Sequence, residues 1–131
     1  MESLNFDTTF LIDLQREVNR APGPAHDFLQ QNHDRIPCIS LITLGEYSEG
    51  FPNPSDADCL RMIDSFEILS CTRQVAEIYS RISRDLRKKG LRIGGNDLWI
   101  AAHSLAHSMP LVTRNTGEFT RVPGLDIRGY S

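Results

Sequence analysis

Four acidic residues lie far apart in this chain, each beside an apolar stretch. They are Asp7, Glu46, Asp97 and Glu118. Asp7 closes the run Leu4-Asn-Phe-Asp7. Glu46 follows the β-branched run Ile36 to Leu41 by about one helical turn. Asp97 opens an apolar helical segment, and Glu118 follows the run Leu111-Val-Thr113. Brought into one pocket, four carboxylates repel one another. Two unit charges about 4 Å apart cost roughly 4 kcal/mol at an effective dielectric near 20. Such a cluster takes up protons or binds cations. An all-oxygen donor set suits Mg²⁺ or Mn²⁺ rather than zinc, and Mg²⁺ readily shares its shell with phosphate oxygens. The chemistry implied is phosphoryl-ester hydrolysis by a metal-activated water, without a covalent enzyme intermediate.

Each acid also has a purely local reading. Asp7 can cap the helix that follows it or make an Asx turn. Glu46 is the last residue of Thr43-Leu-Gly-Glu46, a capping-box pattern. Asn96 and Asp97 are both good N-caps, and Asn115 to Glu118 fits a polar turn. None of these readings says why acids should recur at comparable places along the fold.

The elements that must position them follow from periodicity. Strand patterns fall at residues 4–7, 36–41, 67–70, 110–113 and 125–127. Helical patterns run from Phe10 to about Val18, Ala25 to Gln31, Thr43 to Ser48, from Ser55 onward, Gln74 to Lys89, and Asp97 to about His107. Ser55 with Asp58 suggests a capping box. Val75, Ile78, Tyr79, Ile82 and Leu86 form one apolar stripe on the long helix, and Gly90 supplies its stop. Strands alternating with helices predict an α/β domain with a central, mostly parallel sheet of five strands. Right-handed crossovers place the loops after the strands on one edge, where open parallel sheets bind ligands.

A length of 131 residues is enough for one domain, taken here as residues 1–131, with a real core. Hydrophobic residues at 40% and charged residues at 24% exclude a disordered chain. A net charge of −3 excludes a uniformly basic nucleic-acid binder and leaves room for a local basic face. Cys38, Cys59 and Cys71 are odd in number, lack a CxxC pair, and read as buried thiols in a reducing cytoplasm. The acidic N-terminus lacks the basic region of a signal peptide, and no apolar run reaches the roughly 18 residues of a membrane span. A soluble, cytoplasmic protein is expected.

The ordered set of motifs resembles the PIN domains, and more closely the VapC type of toxin ribonuclease. The residues that carry the resemblance are Asp7-Thr-Thr with its apolar helix, Leu44-Gly-Glu46 with Gly50, Gly95-Asn-Asp-Leu-Trp-Ile-Ala-Ala102, and Leu111-Val-Thr-Arg-Asn-Thr-Gly-Glu-Phe119. The run Arg87 to Asp97 and the tail Phe119 to Leu125 are similar too. The resemblance implies a three-layer α/β/α sandwich, with Asp7, Glu46, Asp97 and Glu118 as the catalytic, metal-binding quartet. It makes Thr113 and Asn115 supporting polar groups. It further implies cleavage of single-stranded RNA with Mg²⁺ or Mn²⁺, pairing as a homodimer, and inhibition by a cognate antitoxin. Position 118 departs from the pattern, carrying Glu where the family more often has Asp.

Other features are weaker. His103 and His107 have the spacing of a helical zinc pair but lack a third ligand, and read as residues at a helix surface or packing boundary. Arg81, Arg84, Arg87, Lys88, Lys89 and Arg92 form a cationic stretch, either a solvated helix face or an RNA contact. Arg92, Arg114 and Arg121 are candidates for holding phosphates near the acids. Trp99 suits core or dimer packing better than base stacking. Competing functions are a receiver or an aspartyl-phosphate phosphatase, and a catalytically silent PIN-like binding domain. The phosphatase needs a second acid two positions after its nucleophile, where this chain has Thr9. The receiver needs paired acids and a late Lys, which the chain lacks. Retention of all four acids speaks against the silent domain.

Overall fold

The computed structural model describes residues 1–131. Its elements, in order, are β1 (Ser3–Phe6), α1 (Thr8–Val18), α2 (Pro24–Gln31), β2 (Ile36–Ser40), α3 (Leu41–Glu49) and α4 (Ala57–Ile63). There follow β3 (Glu67–Leu69), α5 (Arg73–Lys88), α6 (Gly95–Ala106), β4 (Leu111–Val112), α7 (Thr116–Phe119) and β5 (Ile127–Arg128). The sheet has five strands in the order β3-β2-β1-β4-β5, and every pairing is parallel. The chain steps outward from β1 to β2 to β3, then returns across the sheet to β4. The switch point therefore lies between β1 and β4, where a crevice opens at the carboxyl ends of the strands.

Strand alternation sorts side chains between two layers of helices. Leu4, Phe6, Ile39 and Val112 pack with Phe10 and Leu11 of α1, Ala25 of α2, Tyr47 of α3, and Cys59 and Met62 of α4. Phe6 is the hub of an aromatic cluster, with ring centroids 4.4 Å from Phe10, 5.6 Å from Phe66 and 5.9 Å from Phe28. On the other face Leu111 packs with Ile82 and Leu86 of α5, Ile100 and Ala101 of α6, and Phe119. The expected three-layer α/β/α sandwich is thus the fold. No helix is long and apolar enough to cross a membrane.

Several local expectations fail for identifiable reasons. Ser40, not Thr43, caps α3. Its Oγ accepts from Thr43 N at 3.1 Å, so the helix starts two residues early and Thr43 is buried inside it. Asp56, not Ser55, caps α4, accepting from Asp58 N at 2.9 Å. Neither Asn96 nor Asp97 caps α6. Gly94 holds that position, and Asp97 lies in the first turn. The last strand is Ile127–Arg128 rather than residues 125–127, because Leu111 N bonds to Asp126 O and Thr113 N to Arg128 O. Residues 116–119 form the short helix α7, not a polar turn. Cys71 is exposed, whereas Cys38 and Cys59 are buried. His103 is wholly buried rather than at a boundary, with its Nδ1 2.7 Å from Trp99 O.

The stop after α5 is as expected. Gly90 has φ +68°, Gly90 N bonds to Arg87 O at 3.1 Å, and Leu91 N bonds to Leu86 O at 2.9 Å. This is a Schellman motif, and it aims the chain toward α6. A Cβ at Gly90 would meet nothing within 4 Å, so a side chain there costs only backbone strain. Gly90→Ala is expected to lower stability by about 1–2 kcal/mol, read as a drop in the urea midpoint with an unchanged slope.

Candidate active site

β1 delivers Asp7 to the crevice. Asp7 N donates to Val112 O at 3.2 Å, which ties the end of β1 to the end of β4. The Asp7 side chain then does two things. Its Oδ1 accepts from Phe10 N at 2.9 Å and so caps α1, as the local reading anticipated. Its Oδ2 accepts from the hydroxyl of Thr113, which is itself fully buried just after β4. Thr113 Oγ1 in turn accepts from Asn115 N at 2.9 Å. Capping and site membership are therefore compatible for Asp7.

Glu46 projects from α3. Both its oxygens are held by neutral donors, Oε1 by the Thr8 hydroxyl and Oε2 by Asn96 Nδ2 at 3.0 Å. These bonds join α1, α3 and α6 across gaps of 38 and 50 residues. Asp97, in the first turn of α6, and Glu118, on α7, complete the group.

The four acids influence one another electrically. Asp7 is only 4% exposed. Burial pushes its carboxyl up to about 6, against the lowering effect of the bonds from Thr113 and Phe10, and the charges of Asp97 and Asp13 push the same way as burial. The Asp97 carboxyl is also raised, first by burial, then by the charges of Glu118 and Glu46 and a hydrogen bond with Glu118. None of the four is paired with a Lys or Arg. As the side chains stand, no three His, Cys, Asp or Glu groups converge tightly enough to enclose an ion. The oxygens of Glu46 point instead at Thr8 and Asn96, and those of Asp7 at Thr113 and the start of α1. The donor set is nevertheless all carboxylate, mutually repelling and short of counter-charge, which fits a hard divalent cation.

The remaining candidates are distributed unevenly. Arg114 is half exposed, and its Nη1 lies 3.3 Å from Asp13 Oδ2. Asn115 is exposed and contributes its backbone N–H to Thr113. Arg92 is exposed in the segment before α6 and lines a cavity of about 540 Å³ with Ser83, Arg87 and Leu98. Arg121 Nη1 donates to Arg92 O, which links the two segments. In the cationic stretch Lys89 pairs with Asp85 at 3.1 Å. Trp99 stacks on Tyr79 with ring centroids 3.8 Å apart, fastening α6 to α5. His107 Nε2 donates to Ser70 O at 3.2 Å and His103 is buried, so the two are not set up as ligands.

Asp13 and Tyr130 at this edge escaped the sequence reading, and Thr8 and Asn96 entered it without the bonds to Glu46 that they make. Thr8 and Asn96 adjoin two of the acids, and that adjacency was their signal. Asp13 interrupts the apolar run Phe10-Leu-Ile-Asp-Leu14, which marks an acid in need of partners. Tyr130 had no sequence signal.

A PIN-domain family model matches residues 6–125. The chain belongs to the PIN-domain family. Among its relatives is ribonuclease VapC1 of Haemophilus influenzae strain R2866, 34% identical over 130 residues, which cover 95% of this chain and 96% of the relative. The tRNA(fMet)-specific endonuclease VapC of Salmonella typhimurium is 34% identical over 118 residues, covering 86% and 89%. DNA-bound VapBC from Salmonella typhimurium superposes with a TM-score of 0.85 at 29% identity, over 100% of both chains.

The charge on Asp7 of this PIN domain has a thermodynamic consequence. With its folded-state value near 6 against an ordinary 3.8, folding favours the protonated form. The stabilisation is complete below about pH 4 and is lost as pH rises through 6, a change of about 3 kcal/mol. In EDTA, the melting temperature of the wild type relative to Asp7→Asn is expected to fall between pH 4 and pH 7. A difference that stays flat over this range would contradict a buried, ionisable Asp7.

Proposed function

We propose that this PIN domain, spanning residues 1–131, is a Mg²⁺- or Mn²⁺-dependent endoribonuclease. It hydrolyses phosphodiester bonds in single-stranded RNA and acts as the toxin of a VapBC-type pair. The observation that carries this reading is the group of four electrically coupled carboxylates at the β1/β4 switch point, none paired with a protein cation. The names of the relatives support ribonuclease action, and the VapBC complex of the structural neighbour supports an antitoxin partner.

In this reading Asp7, Glu46, Asp97 and Glu118 would hold the metal. A bound divalent ion supplies an activated water and neutralises charge growing on the phosphate. The protein's own groups do the rest. Thr113 orients Asp7, while Thr8 and Asn96 keep both Glu46 oxygens turned into the crevice. Arg114, Asn115 and Arg92 meet the RNA phosphates. Glu118 is one methylene longer than Asp and accommodates this through its position on α7, where its charge acts on Asp97. The enzyme works in the cytoplasm as a homodimer. A cognate antitoxin would silence it by covering the carboxylate edge.

Asp97→Asn keeps the size of the side chain and removes its charge. It is expected to reduce metal-dependent RNA cleavage about 100-fold or more, beyond the 10- to 100-fold typical of losing a supporting residue. Fold integrity is checked by circular dichroism. Cleavage by this variant equal to that of the untreated wild type, or undiminished by EDTA, would assign the activity to a contaminant. In cells, expression of the wild type is expected to arrest growth and Asp7→Ala to relieve the arrest, scored by colony counts.

A further inference from the structure

Asp13 lies in the apolar stretch of α1, and its side chain is only 11% exposed. A carboxylate so placed requires partners. The Tyr130 hydroxyl donates to its Oδ2 at 2.5 Å. The Arg114 guanidinium lies 3.3 Å from the same oxygen, and Arg16 stands 3.9 Å from Oδ1. The two partners on Oδ2 come from the segment after β4 and from the tail after β5. Tyr130 is fixed further by edge-on packing against Phe10, with ring centroids 4.8 Å apart. Burial and the bond to Asp13 push the Tyr130 hydroxyl strongly up, with the charges of Asp13 and Asp7 adding and that of Arg114 opposing. Tyr130, Asp13, Asp7 and Arg114 therefore share one neighbourhood.

Arg114 is constrained on both sides. Thr113 before it bonds to Asp7, and the Asn115 N–H after it bonds back to Thr113. Only Nη1 faces Asp13, and the side chain is 49% exposed. The rest of the guanidinium is open to a ligand, and its planar fork matches two phosphate oxygens. An arginine beside four unpaired acids has a competing destination. Swung inward, it would neutralise the charge that a divalent ion needs. A nearly buried acid outside the quartet holds it away from them.

We propose, resting on the ribonuclease reading above, that Asp13 and Tyr130 are positioning residues. They hold the Arg114 guanidinium at the rim of the carboxylate quartet, turned toward an RNA phosphate and away from Asp7 and Glu118. Asp13 acts through Arg114, so the two are energetically one unit.

The test is a double-mutant cycle on the full chain with a single-stranded RNA oligonucleotide and Mn²⁺. Arg114→Ala is expected to raise KM about tenfold, with a smaller change in kcat. Asp13→Asn should lose a similar factor, and Tyr130→Phe about threefold. The double variant should be no worse than Arg114→Ala alone. A second readout, fluorescence anisotropy of the oligonucleotide in an Asp97→Asn background, should show the same pattern in affinity without cleavage. Losses that multiply in the double variant would overturn the proposal. So would an Asp13→Asn or Tyr130→Phe protein with a lower melting temperature but wild-type KM and affinity, since that describes a merely structural role. If the wild type does not cleave RNA, the ribonuclease reading falls. The anisotropy series then decides this proposal alone, and unchanged affinity in Arg114→Ala and Asp13→Asn would overturn it.

Discussion

Like charges at the carboxyl edge of a parallel sheet are the constraint around which this molecule is arranged. Asp7 is buried against the tendency of a carboxylate to stay in water, and Asp97 is raised by Glu118 and Glu46 as well as by burial. Nothing in the folding of a small domain requires such a cluster, which works against stability. The fold tolerates it because the hydroxyls of Thr8 and Thr113, the Asn96 amide and the α1 N-terminus satisfy individual oxygens with neutral donors. These donors orient the acids without cancelling their charge.

Topology explains why the acids meet where they do. Because β1 sits between β2 and β4, connections leave it in both directions and part at their carboxyl ends. Asp7 and Thr113 leave adjacent strands at that parting. α3 brings Glu46 directly from the end of β2, with Ser40 as both the last residue of that strand and the helix cap. The long α5, its Schellman stop at Gly90 and the turn into α6 bring Asp97 back to the same edge. The aromatic cluster around Phe6 and the Tyr79–Trp99 stack hold the two helical layers against the sheet. The site therefore draws its rigidity from both hydrophobic layers rather than from the loops that display it.

Local errors in reading the sequence share one cause. Thr43-Leu-Gly-Glu46, Ser55 with Asp58, and Asn96-Asp97 all carry capping patterns, yet Ser40, Asp56 and Gly94 hold the cap positions. A cap depends on where the preceding strand or turn ends, and several polar residues in a row offer the backbone nearly equal choices. For Glu46 and Asp97 the failed cap left the side chain free to face the crevice. Cys71 and His103 were misplaced in burial because a short apolar neighbourhood does not say which face of the sheet or helix a residue will occupy.

The sequence by itself determined the alternation of strands and helices, the parallel sheet, and the placing of Asp7, Glu46 and Glu118 at or just beyond strand ends. These follow from periodicity and strand-end placement, which are properties of short segments. Only the tertiary structure decided that Thr8 and Asn96 grip Glu46, that Thr113 reaches Asp7, and that Asp13 meets Arg114 and Tyr130. Those contacts span separations of 38, 50, 106 and 117 residues among the hydrogen-bonded pairs. Hydrogen bonds between side chains depend on ångström distances and angles. Such distances exist only once both helical layers have closed on the sheet.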